Sequence, residues 1–580
     1  MRRALLSWLA LALLVRGARA QTPFDSVVST PMRDGVTLRG TVLFPGRGGR
    51  YPTLVYRTPY GKDAAIETYP MFRKAVARGY AVLAQDVRGR YTSDGTYVPY
   101  NQEPADGFDT IEWAAAQPWS TGEIGTFGLS YPGAVQWLAA TKGPPHLLAM
   151  VPAMTFSSPT NFWYAGGIFD LSWPTWIWHN IAPDLRVRNN LPGPRTYREA
   201  AAAWPGVRSR ILDHVPLEDA PELKEVAPWY VEWMRHPPND RWWDWAELRN
   251  KYAKVGAAVL NVSGWHDDPY GPEGAVTNFR GLLASRRGAE PKTRLILGPW
   301  VHGVGGMMAS PTAKSGERVF GEAAGIDYDE EILRFMDRYV RHLDVGKDDP
   351  LVRVFVMGEN VWRSSDRWPL AGTVPTPFYL TWTTGSRGRL TQDQLTGRAT
   401  TRFVSDPSSP VTDPYAEQSG AHDYRALADQ PNVATFETDP LQTDLRVVGN
   451  ITARIFVSTL VPDTDLWVRL FDVAPDGTAW NLMSPGLDVL RASYREGGPE
   501  RKLLEPDKVY ELVLPNLLTG NLFQRGHRIR IVLTTAFMPH FSRNLHTGAL
   551  ETESADMRSA AITIHHDRRY PSQIIVPVVP

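Results

Sequence analysis

Apolar runs and helical patterns alternate along the first 150 residues of the chain. The apolar runs typical of buried strands are 53–56, 80–85 and 124–127. The stretches with helical periodicity are 72–78, 106–116 and 131–141. Because strands that alternate with helices usually pair in parallel, this rhythm predicts βαβ units with right-handed crossovers.

A long insertion interrupts this rhythm. Residues 156–250 are rich in Trp, Pro and helix-forming residues and contain few strand-like runs. Strand patterns return at 257–262 and 294–297, and a helical pattern at 330–343 follows them. The α/β segment is therefore predicted to be split by a helical insertion.

The last part of the chain has a different pattern. From about residue 347, short β-rich runs follow one another without a long helix, separated by turn residues. The clearest runs are 352–357, 378–380, 451–458, 466–473, 509–514, 529–533 and 561–565. Many short strands at this spacing predict a β sandwich or jelly roll.

The N-terminus has the pattern of a secretory signal peptide. Arg2 and Arg3 precede an apolar stretch at 4–15, which is too short to span a bilayer, and Ala18-Arg19-Ala20 is a small-x-small cleavage site. We therefore expect residues 1–20 to be removed and a secreted or periplasmic chain to begin near Gln21.

Composition excludes several classes of function. Basic and acidic residues number 62 each, so the charge does not indicate a nucleic-acid partner. No later apolar stretch is long enough for a membrane span. The chain has no Cys, which excludes thiol nucleophiles and thiolate metal sites. Its 21 Trp residues are unusually many and suit either a core or a pocket for flat, apolar substrates.

A serine flanked by glycines lies between a predicted strand and a predicted helix. Gly128-Leu129-Ser130-Tyr131-Pro132-Gly133 follows the run at 124–127 and begins the helical stretch at 131–141. This is the setting of a nucleophile elbow, although the Gly-x-Ser-x-x-Gly spacing is one residue longer than the usual motif. The sequence therefore predicts Ser130 as a nucleophile.

A nucleophilic serine needs a base and an orienting acid. In α/β-hydrolases the chain order is Ser, acid, His, each on a loop after a strand. His266-Asp267-Asp268 follows the run at 257–262, and His302 follows the run at 294–297. Order and context favour His302 as the base, but the pattern leaves His266 open as a competitor and does not separate Asp267 from Asp268. No cluster has the spacing of metal ligands, so neither a metal nor a cofactor is expected.

These motifs resemble those of the cocaine esterase and X-Pro dipeptidyl-peptidase family of α/β-hydrolases. The similarity extends over nearly all of the chain after the signal sequence. The segments that carry it are 57–60, 85–90, 125–133, 264–267, 298–302, 335–340, 526–530 and 541–544.

The resemblance implies an α/β fold, with an α/β-hydrolase domain, an inserted helical cap and a C-terminal β jelly-roll domain. The hydrophobic pattern divides the chain in the same way. The expected segments are the signal peptide (1–20), the first part of the hydrolase domain (21–154), the helical cap (155–252), the second part of the hydrolase domain (253–346) and the jelly-roll domain (347–580).

The resemblance also implies roles for individual residues. The family's acid follows the Gly-Trp-aromatic segment directly, which points to Asp267 rather than Asp268, and its base matches His302. Its oxyanion hole uses a tyrosine hydroxyl, here Tyr60, and the backbone N–H after the nucleophile, here that of Tyr131.

In this family the cap closes over the nucleophile and its aromatic side chains contact the acyl group. Trp163, Phe169 and Trp173 lie about where the resemblance puts these side chains. The alternative for each of them is packing between cap helices.

One departure narrows the expected activity. The α-amino acid ester hydrolases of the family carry Ser-Tyr-Glu-Gly at the elbow, whereas this chain has Pro132 in place of the glutamate, which removes an acid that could bind an α-ammonium group. We therefore expect an exported serine hydrolase that cleaves carboxylic esters with an aryl or bulky acyl group through an acyl-enzyme.

The alternative is an enzyme that acts on amides, as an X-Pro dipeptidyl-peptidase, an α-amino acid ester hydrolase or an acylase. Asp170, Asp268 and Glu273 are the acids that could then bind an amine. The expected partner is a small-molecule ester or amide, and the sequence leaves the oligomeric state open, with a homodimer as one option.

Overall fold

The computed structural model describes residues 24–268, 270–308, 310, 312–382, 387–393 and 399–580. The segment expected to be a signal peptide lies outside these residues. Within the described ranges, no helix is both long and apolar enough to cross a membrane.

The helices and strands follow the predicted alternation up to the insertion. In chain order they are β1 (Phe24–Pro31), β2 (Thr37–Phe44), β3 (Tyr51–Thr58), α1 (Lys62–Thr68), α2 (Met71–Ala77), β4 (Ala81–Asp86), α3 (Glu103–Ala115), β5 (Ser120–Leu129), α4 (Tyr131–Ala140) and β6 (Leu147–Ala153). The insertion contains β7 (Tyr164–Ala165), β8 (Ile168–Phe169), α5 (Ser172–Trp176), a π-helical turn (Ile177–Ile181), α6 (Ala182–Asn189), α7 (Tyr197–Leu212), α8 (Pro221–Lys224) and α9 (Pro228–Arg235).

Strands and helices alternate again after the insertion, and strands alone follow. The mixed part is β9 (Ala258–His266), α10 (Tyr270–Ser285), β10 (Thr293–Val301), β11 (Lys314–Ser315), β12 (Arg318–Val319), α11 (Tyr328–Tyr339), β13 (Val352–Val356) and β14 (Val361–Ser365). The last strands are β15 (Val374–Thr381), β16 (Gly388–Thr391), β17 (Thr400–Ser405), β18 (Ala434–Glu437), β19 (Leu445–Ser458), β20 (Asp465–Val473), β21 (Ala479–Asn481), β22 (Val489–Arg491), β23 (Tyr510–Phe523), β24 (Arg528–Thr534), β25 (Ala560–His565) and β26 (Gln573–Val578).

Ten strands of the described chain form one mixed sheet in the order β1-β2-β4-β3-β5-β6-β9-β10-β13-β14. Neighbours from β4 to β13 run parallel, while β1, β2 and β14 pair antiparallel at the edges. The carboxyl ends of the parallel strands therefore lie along one edge, which brings the loops after β3, β5, β9 and β10 together.

Helices cover both faces of this sheet. Strands β4 and β9 are buried along their whole length, as central parallel strands are. One face packs on α3 and α4 through residues such as Ile111 and Leu138, and the other packs on α2 and α11 through Phe72 and Met336. The predicted α/β fold class is confirmed.

The first sheet continues further along the chain than the sequence pattern indicates. Strand β13 pairs in parallel with β10, and β14 pairs antiparallel with β13. Both strands follow residue 347, where the sequence analysis begins the jelly-roll domain. A short apolar run suits a parallel strand and a sandwich strand equally well, so only the pairing decides between them.

The strands from β15 to β26 form a second sheet of twelve strands in the described residues. This all-β part packs directly behind the loop after β9. The Nε2 atom of His266 lies 3.2 Å from the carbonyl oxygen of Asn481, and the Ser484 hydroxyl donates to the Asp267 carbonyl. The C-terminal part of the chain therefore supports a loop of the candidate site.

Candidate active site

Ser130 occupies a strained turn between β5 and α4. Its φ is 66°, a conformation that non-glycine residues adopt mainly where the surrounding structure imposes it, as at a nucleophile elbow. A Cβ on Gly128 would lie 2.5 Å from the Cβ of Pro132, and a Cβ on Gly133 would lie 2.7 Å from the carbonyl oxygen of Ala153. These two glycines let the turn close tightly and present Ser130 at the N-terminus of α4.

Asp267 and His302 form a short hydrogen-bonded pair at the ends of β9 and β10. The Nδ1 atom of His302 lies 2.6 Å from Oδ1 of Asp267. The Ser263 hydroxyl donates to Oδ2 of Asp267 at 2.6 Å, and the Asp268 N–H donates to Oδ1 at 2.8 Å. Burial raises the pKa of Asp267, and the pairing with His302 counteracts this shift. The imidazole is therefore held in one orientation by a fixed carboxylate.

Asp268 also faces His302, but more loosely. Its Oδ2 atom lies 3.4 Å from Nδ1 and accepts a hydrogen bond from the Tyr270 hydroxyl at 2.9 Å. The Asp268 side chain is 41% exposed, whereas that of Asp267 is fully buried. Burial alone would lower the pKa of His302, but the carboxylates of Asp268 and Asp267 outweigh it and raise this pKa to about 9.

His266, the competing histidine, faces the C-terminal part of the chain. Its Nε2 atom lies 3.2 Å from the carbonyl oxygen of Asn481, and its buried Nδ1 has no hydrogen-bond partner in the described chain. Burial lowers its pKa to about 4.

Tyr60 follows β3, and its hydroxyl is held by a cap residue. The indole N–H of Trp176 donates to the Tyr60 hydroxyl oxygen at 2.9 Å. Burial raises the pKa of Tyr60 to about 12, although its hydrogen bonds with Trp176 and Ser130 lower it somewhat. The phenol therefore keeps its proton at neutral pH. Because Trp176 donates into the oxygen, this proton remains available for an acceptor beside Ser130.

The Tyr131 side chain points away from the site into the core. Its hydroxyl donates to Glu103 at 3.0 Å and accepts from the Tyr100 N–H at 3.0 Å, and its ring stacks on Tyr100 at 4.1 Å. Glu103 also pairs with Arg57 at 2.5 Å. This buried network anchors the first turn of α4, whose backbone N–H groups lie next to Ser130.

A cavity of about 980 Å³ brings these side chains together. Ser130, His302, Tyr60 and Trp176 all line it. The remaining wall is largely aromatic and aliphatic and includes Tyr56, Tyr69, Met71, Tyr91, Phe127, Leu129, Val187, Tyr197, Val304, Met308, Ile326, Tyr328 and Ile332. A space of this size and lining suits an apolar small molecule.

The three expected acyl-binding residues lie elsewhere. Trp163, Phe169 and Trp173 are at most 4% exposed and do not line this cavity. Trp163 stacks parallel to Trp173 at 5.9 Å, and Phe169 packs edge-on against Tyr230. They form part of the aromatic core of the cap, which corrects the expectation that they face the substrate. A side chain on a short helix faces either the core or the cavity according to how the cap docks, and the sequence does not contain that information.

Trp176 lines the cavity from the cap, as Tyr197 also does. Trp176 packs edge-on against Trp173, with ring centroids 5.4 Å apart, and so lies one layer closer to Ser130. No role for Trp176 follows from the sequence pattern. Its spacing of three residues from Trp173 places both rings on one side of a helix and so does not distinguish the cavity residue from the core residue.

A second cavity of about 520 Å³ adjoins the first one. Trp176, His179, Asn180 and Tyr197 line both cavities. Asp170 and Asp268 line the second one, and burial raises the pKa of Asp170 to about 7. The third acid considered from sequence, Glu273, is engaged by Ser157 at 2.9 Å and Thr277 at 2.6 Å.

The ligand-type atoms of Asp267, Asp268 and His302 lie within 4.8 Å of one another, a spacing that would also admit a cation. The hydrogen bonds described above already account for this arrangement. They join the two carboxylates to His302, Ser263 and Tyr270.

Two sequence-family models match the chain. The X-Pro dipeptidyl-peptidase model (S15 family) matches residues 34–304, and the model of the X-Pro dipeptidyl-peptidase C-terminal non-catalytic domain matches residues 344–575. Cocaine esterase from Rhodococcus sp. (strain MB1 Bresler) is 31% identical, over 96% of this chain and 98% of its own. The chain belongs to the cocaine esterase and X-Pro dipeptidyl-peptidase (S15) family. It is a serine hydrolase.

Solved structures share the fold of this S15-family hydrolase along its whole length. An aminopeptidase from a marine sediment Thaumarchaeota archaeon has a TM-score of 0.82 at 23% identity, and an α-amino acid ester hydrolase has a TM-score of 0.79 at 23% identity. Each similarity covers 98% of both chains. At this identity the likeness shows the fold and leaves the substrate open.

Proposed function

We propose that this S15-family hydrolase is a carboxylic-ester hydrolase that works through Ser130, His302 and Asp267. The observation that carries the proposal is the convergence of Ser130, the His302–Asp267 pair and the Tyr60 hydroxyl on one aromatic-walled cavity. A nucleophile, a base held by a buried acid and a neutral phenol donor are the groups that acyl transfer needs.

In the proposed mechanism His302 takes the proton of Ser130 as the serine oxygen attacks the ester carbonyl. The C–O bond to the alcohol then breaks, and the alcohol leaves with the proton from His302. Water hydrolyses the resulting acyl-serine by the same two steps. Asp267 stabilises the imidazolium and fixes its orientation throughout.

The negative charge that develops on the carbonyl oxygen needs hydrogen-bond donors. We assign this role to the Tyr60 hydroxyl and the Tyr131 backbone N–H. The hydrogen bond from Trp176 supports this assignment because it occupies the phenol oxygen and leaves the O–H to donate. One such donor is typically worth about 10²–10³ in kcat.

The cavity favours esters with an aryl or bulky acyl group. Trp176 and Phe127 line it beside Ser130 and offer flat apolar surfaces, and we assign acyl contact to Trp176 in place of the buried cap aromatics. The volume of about 980 Å³ leaves room for a large substrate.

Labelling with a fluorescent organophosphonate tests the nucleophile. Ser130→Ala is expected to lose both labelling and hydrolysis of p-nitrophenyl esters while its circular dichroism spectrum stays unchanged. Ser285→Ala, at the distant end of α10, is the matched control and is expected to label normally. Labelling of Ser130→Ala at another serine would overturn the assignment.

Action on amides with a free amine is the second candidate, and one observation favours it. Asp170 and Asp268 line the cavity that adjoins the candidate site, where a carboxylate could bind a substrate ammonium group. Gly-Pro and Ala-Pro p-nitroanilides test this function. If it is correct, Asp170→Asn raises KM for these anilides at least tenfold and leaves KM for p-nitrophenyl benzoate unchanged. Absence of anilide hydrolysis by the wild-type protein would reject it.

We also propose that the protein is exported after removal of residues 1–20. The basic, apolar and small-residue pattern of that segment supports this localisation. N-terminal sequencing of protein recovered outside the cytoplasm is expected to begin near Gln21, and an intact Met1 would contradict export by this route.

A further inference from the structure

Arg90 is a fully buried arginine whose guanidinium donates hydrogen bonds to backbone carbonyls of two separate segments. Its Nε atom donates to the Pro59 carbonyl at 2.9 Å. Its Nη1 atom donates to the Ile181 carbonyl at 2.8 Å, and its Nη2 atom donates to the Asn180 carbonyl at 3.2 Å. The side chain is 0% exposed. Burying this charge is unfavourable unless its donors are satisfied, so the arrangement fixes all three carbonyls in place.

These carbonyls flank both partners of the Tyr60–Trp176 hydrogen bond. Pro59 directly precedes Tyr60, and Asn180 and Ile181 end the π-helical turn that Trp176 begins as its N-cap. A π-helical turn inside a helix is rare and often occurs at functional sites. The same guanidinium therefore holds the hydrolase loop that carries the phenol and the cap turn that carries the indole.

Further contacts keep the guanidinium in one orientation. A carboxylate oxygen of Asp184 lies 3.4 Å from Nη1, and the rings of Tyr97 and Tyr91 lie 5.1 and 5.3 Å from the guanidinium carbon. A lysine side chain carries a compact ammonium group on a flexible alkyl chain, so it cannot donate to these three carbonyls in the planar geometry of a guanidinium.

We propose that Arg90 is a positioning residue that sets the Tyr60 hydroxyl for transition-state stabilisation by fixing it against Trp176. This inference rests on the proposed role of Tyr60 as an oxyanion donor. Arg90 does not line the cavity, so it reaches the reaction through the two segments that it joins and through its charge, which lowers the pKa of Tyr60. Arg90→Lys keeps this charge and therefore tests the positioning alone.

A double-mutant cycle tests the proposal. Tyr60→Phe is expected to lower kcat by about 10²–10³ with little change in KM, because the phenol acts mainly on the transition state. Arg90→Lys is expected to lower kcat at least tenfold on both p-nitrophenyl acetate and benzoate, again with KM nearly unchanged. In the Tyr60→Phe background, Arg90→Lys should cost less than threefold, since the donor that it positions is already gone.

Arg188→Gln is the matched control. Arg188 joins the cap to the loop after β4, which carries Arg90, through the carbonyls of Tyr91 and Ser93 at 3.1 and 2.8 Å. Among the described residues, none of its hydrogen bonds reaches the Tyr60 segment. It is expected to lower the thermal midpoint without the selective loss of kcat. If Arg188→Gln reproduced the kcat loss of Arg90→Lys, general loosening of the cap would explain both, and the proposal would fail.

Inhibition by benzeneboronic acid supplies a second measurement, because the boronate forms a tetrahedral adduct on the serine. Its affinity should fall in Arg90→Lys in proportion to kcat. If Arg90→Lys fails to fold, Trp176→Phe removes the indole donor of the same link, together with part of the apolar surface proposed to contact the acyl group. On p-nitrophenyl acetate, whose small acyl group makes little use of that surface, it should show the same non-additivity in kcat with Tyr60→Phe.

The outcomes separate the two proposals. If Tyr60→Phe retains full activity, the oxyanion assignment is wrong and the inference about Arg90 falls with it. Alternatively, Tyr60→Phe is impaired, and Arg90→Lys lowers kcat by the same factor in the Tyr60→Phe background as in the wild type. Tyr60 then keeps its role, and only the positioning role of Arg90 is rejected.

Discussion

Asp267 and Asp268 are neighbours in the sequence, yet they present very different carboxylates to His302. Asp267 is desolvated and lies 2.6 Å from Nδ1, while Asp268 is partly hydrated and lies 3.4 Å away. A buried carboxylate in direct contact fixes the tautomer and orientation of the ring, whereas a solvated one acts mainly through its charge. Neutralising Asp267 should therefore lower kcat, whereas neutralising Asp268 should mainly change the pKa of His302.

Asp267→Asn is expected to lower kcat by about 10⁴-fold, as loss of a triad acid does where the amide favours the wrong tautomer. Asp268→Asn should lower the maximal kcat less than tenfold. Steady-state rates on p-nitrophenyl acetate at the pH optimum of each variant compare them. A larger loss for Asp268→Asn would place the acid one residue further along the chain.

The pH profile should report both carboxylates. His302 must be neutral to act as a base, and its pKa is raised to about 9, so kcat/KM is expected to rise with pH from 7, to be half-maximal near pH 9 and to level off above it. Asp268→Asn removes one of the two charges that raise this pKa, so the rising limb should move to lower pH. Asp329→Asn, which loses a carboxylate from the cavity wall without contact to His302, is the control and should leave the limb in place. If the pH dependence of kcat/KM were the same in Asp268→Asn as in the wild type, Asp268 would have no electrostatic influence on His302.

At the scale of elements, the short helix α5 divides its tryptophan side chains between the cap core and the cavity. Trp173 and Trp176 lie on the same helix, but Trp173 is buried against Trp163 while Trp176 faces the cavity. Neighbouring aromatic side chains on this element should therefore respond differently to truncation.

Trp176→Ala should lose transition-state binding of a benzoyl ester by about 1–3 kcal/mol more than that of an acetyl ester, because an apolar contact with the acyl group is removed. Trp163→Ala is the matched change in the cap core. It should lower the free energy of unfolding by about 3–5 kcal/mol and affect both esters alike. Values of kcat/KM for the two esters, together with urea unfolding, separate these effects. Equal losses on both esters for Trp176→Ala would mean that the acyl group binds elsewhere.

At the scale of the whole molecule, a buried cluster of charges in the C-terminal part of the chain lies next to the cap. Arg491 lies 2.8 Å from Asp465 and 2.7 Å from Glu551, and all three side chains are at most 3% exposed. The Arg491 N–H also donates to the Gly166 carbonyl of the cap at 2.8 Å. This cluster lies outside the candidate site, so its effect should be on stability alone.

Arg491→Met is expected to lower the free energy of unfolding by about 3–5 kcal/mol, because it leaves two buried carboxylates without a cation. The kcat of the folded protein should stay within twofold of wild type. Arg389→Met, which breaks an exposed pair with Asp439, is the control and should cost less than about 1 kcal/mol. Equal destabilisation by both changes, measured by chemical unfolding, would argue against a structural role for the buried cluster.

Local patterns were enough to predict much of this molecule. The alternation of strands and helices, the glycines around Ser130 and the order of serine, acid and histidine predicted the fold class, which the structure confirms. They also placed Ser130, His302 and the Asp267-Asp268 pair on loops after strands, while the resemblance to the family singled out Asp267 and Tyr60. Parallel pairing brings the ends of such strands together, so these residues could be nominated before any distance was known.

The sequence by itself determined the fold class and the strand ends that carry the candidate chemistry, because periodicity and turn geometry are properties of neighbouring residues, and its motifs indicated the family by resemblance. Tertiary structure alone decided that β13 and β14 join the first sheet and that Trp176, rather than Trp163, Phe169 or Trp173, meets the cavity. It also decided that Arg90 joins the two partners of the Tyr60 hydrogen bond. Each of these outcomes depends on which distant surfaces pack together, and a short apolar run, a tryptophan or an arginine satisfies several such packings equally well.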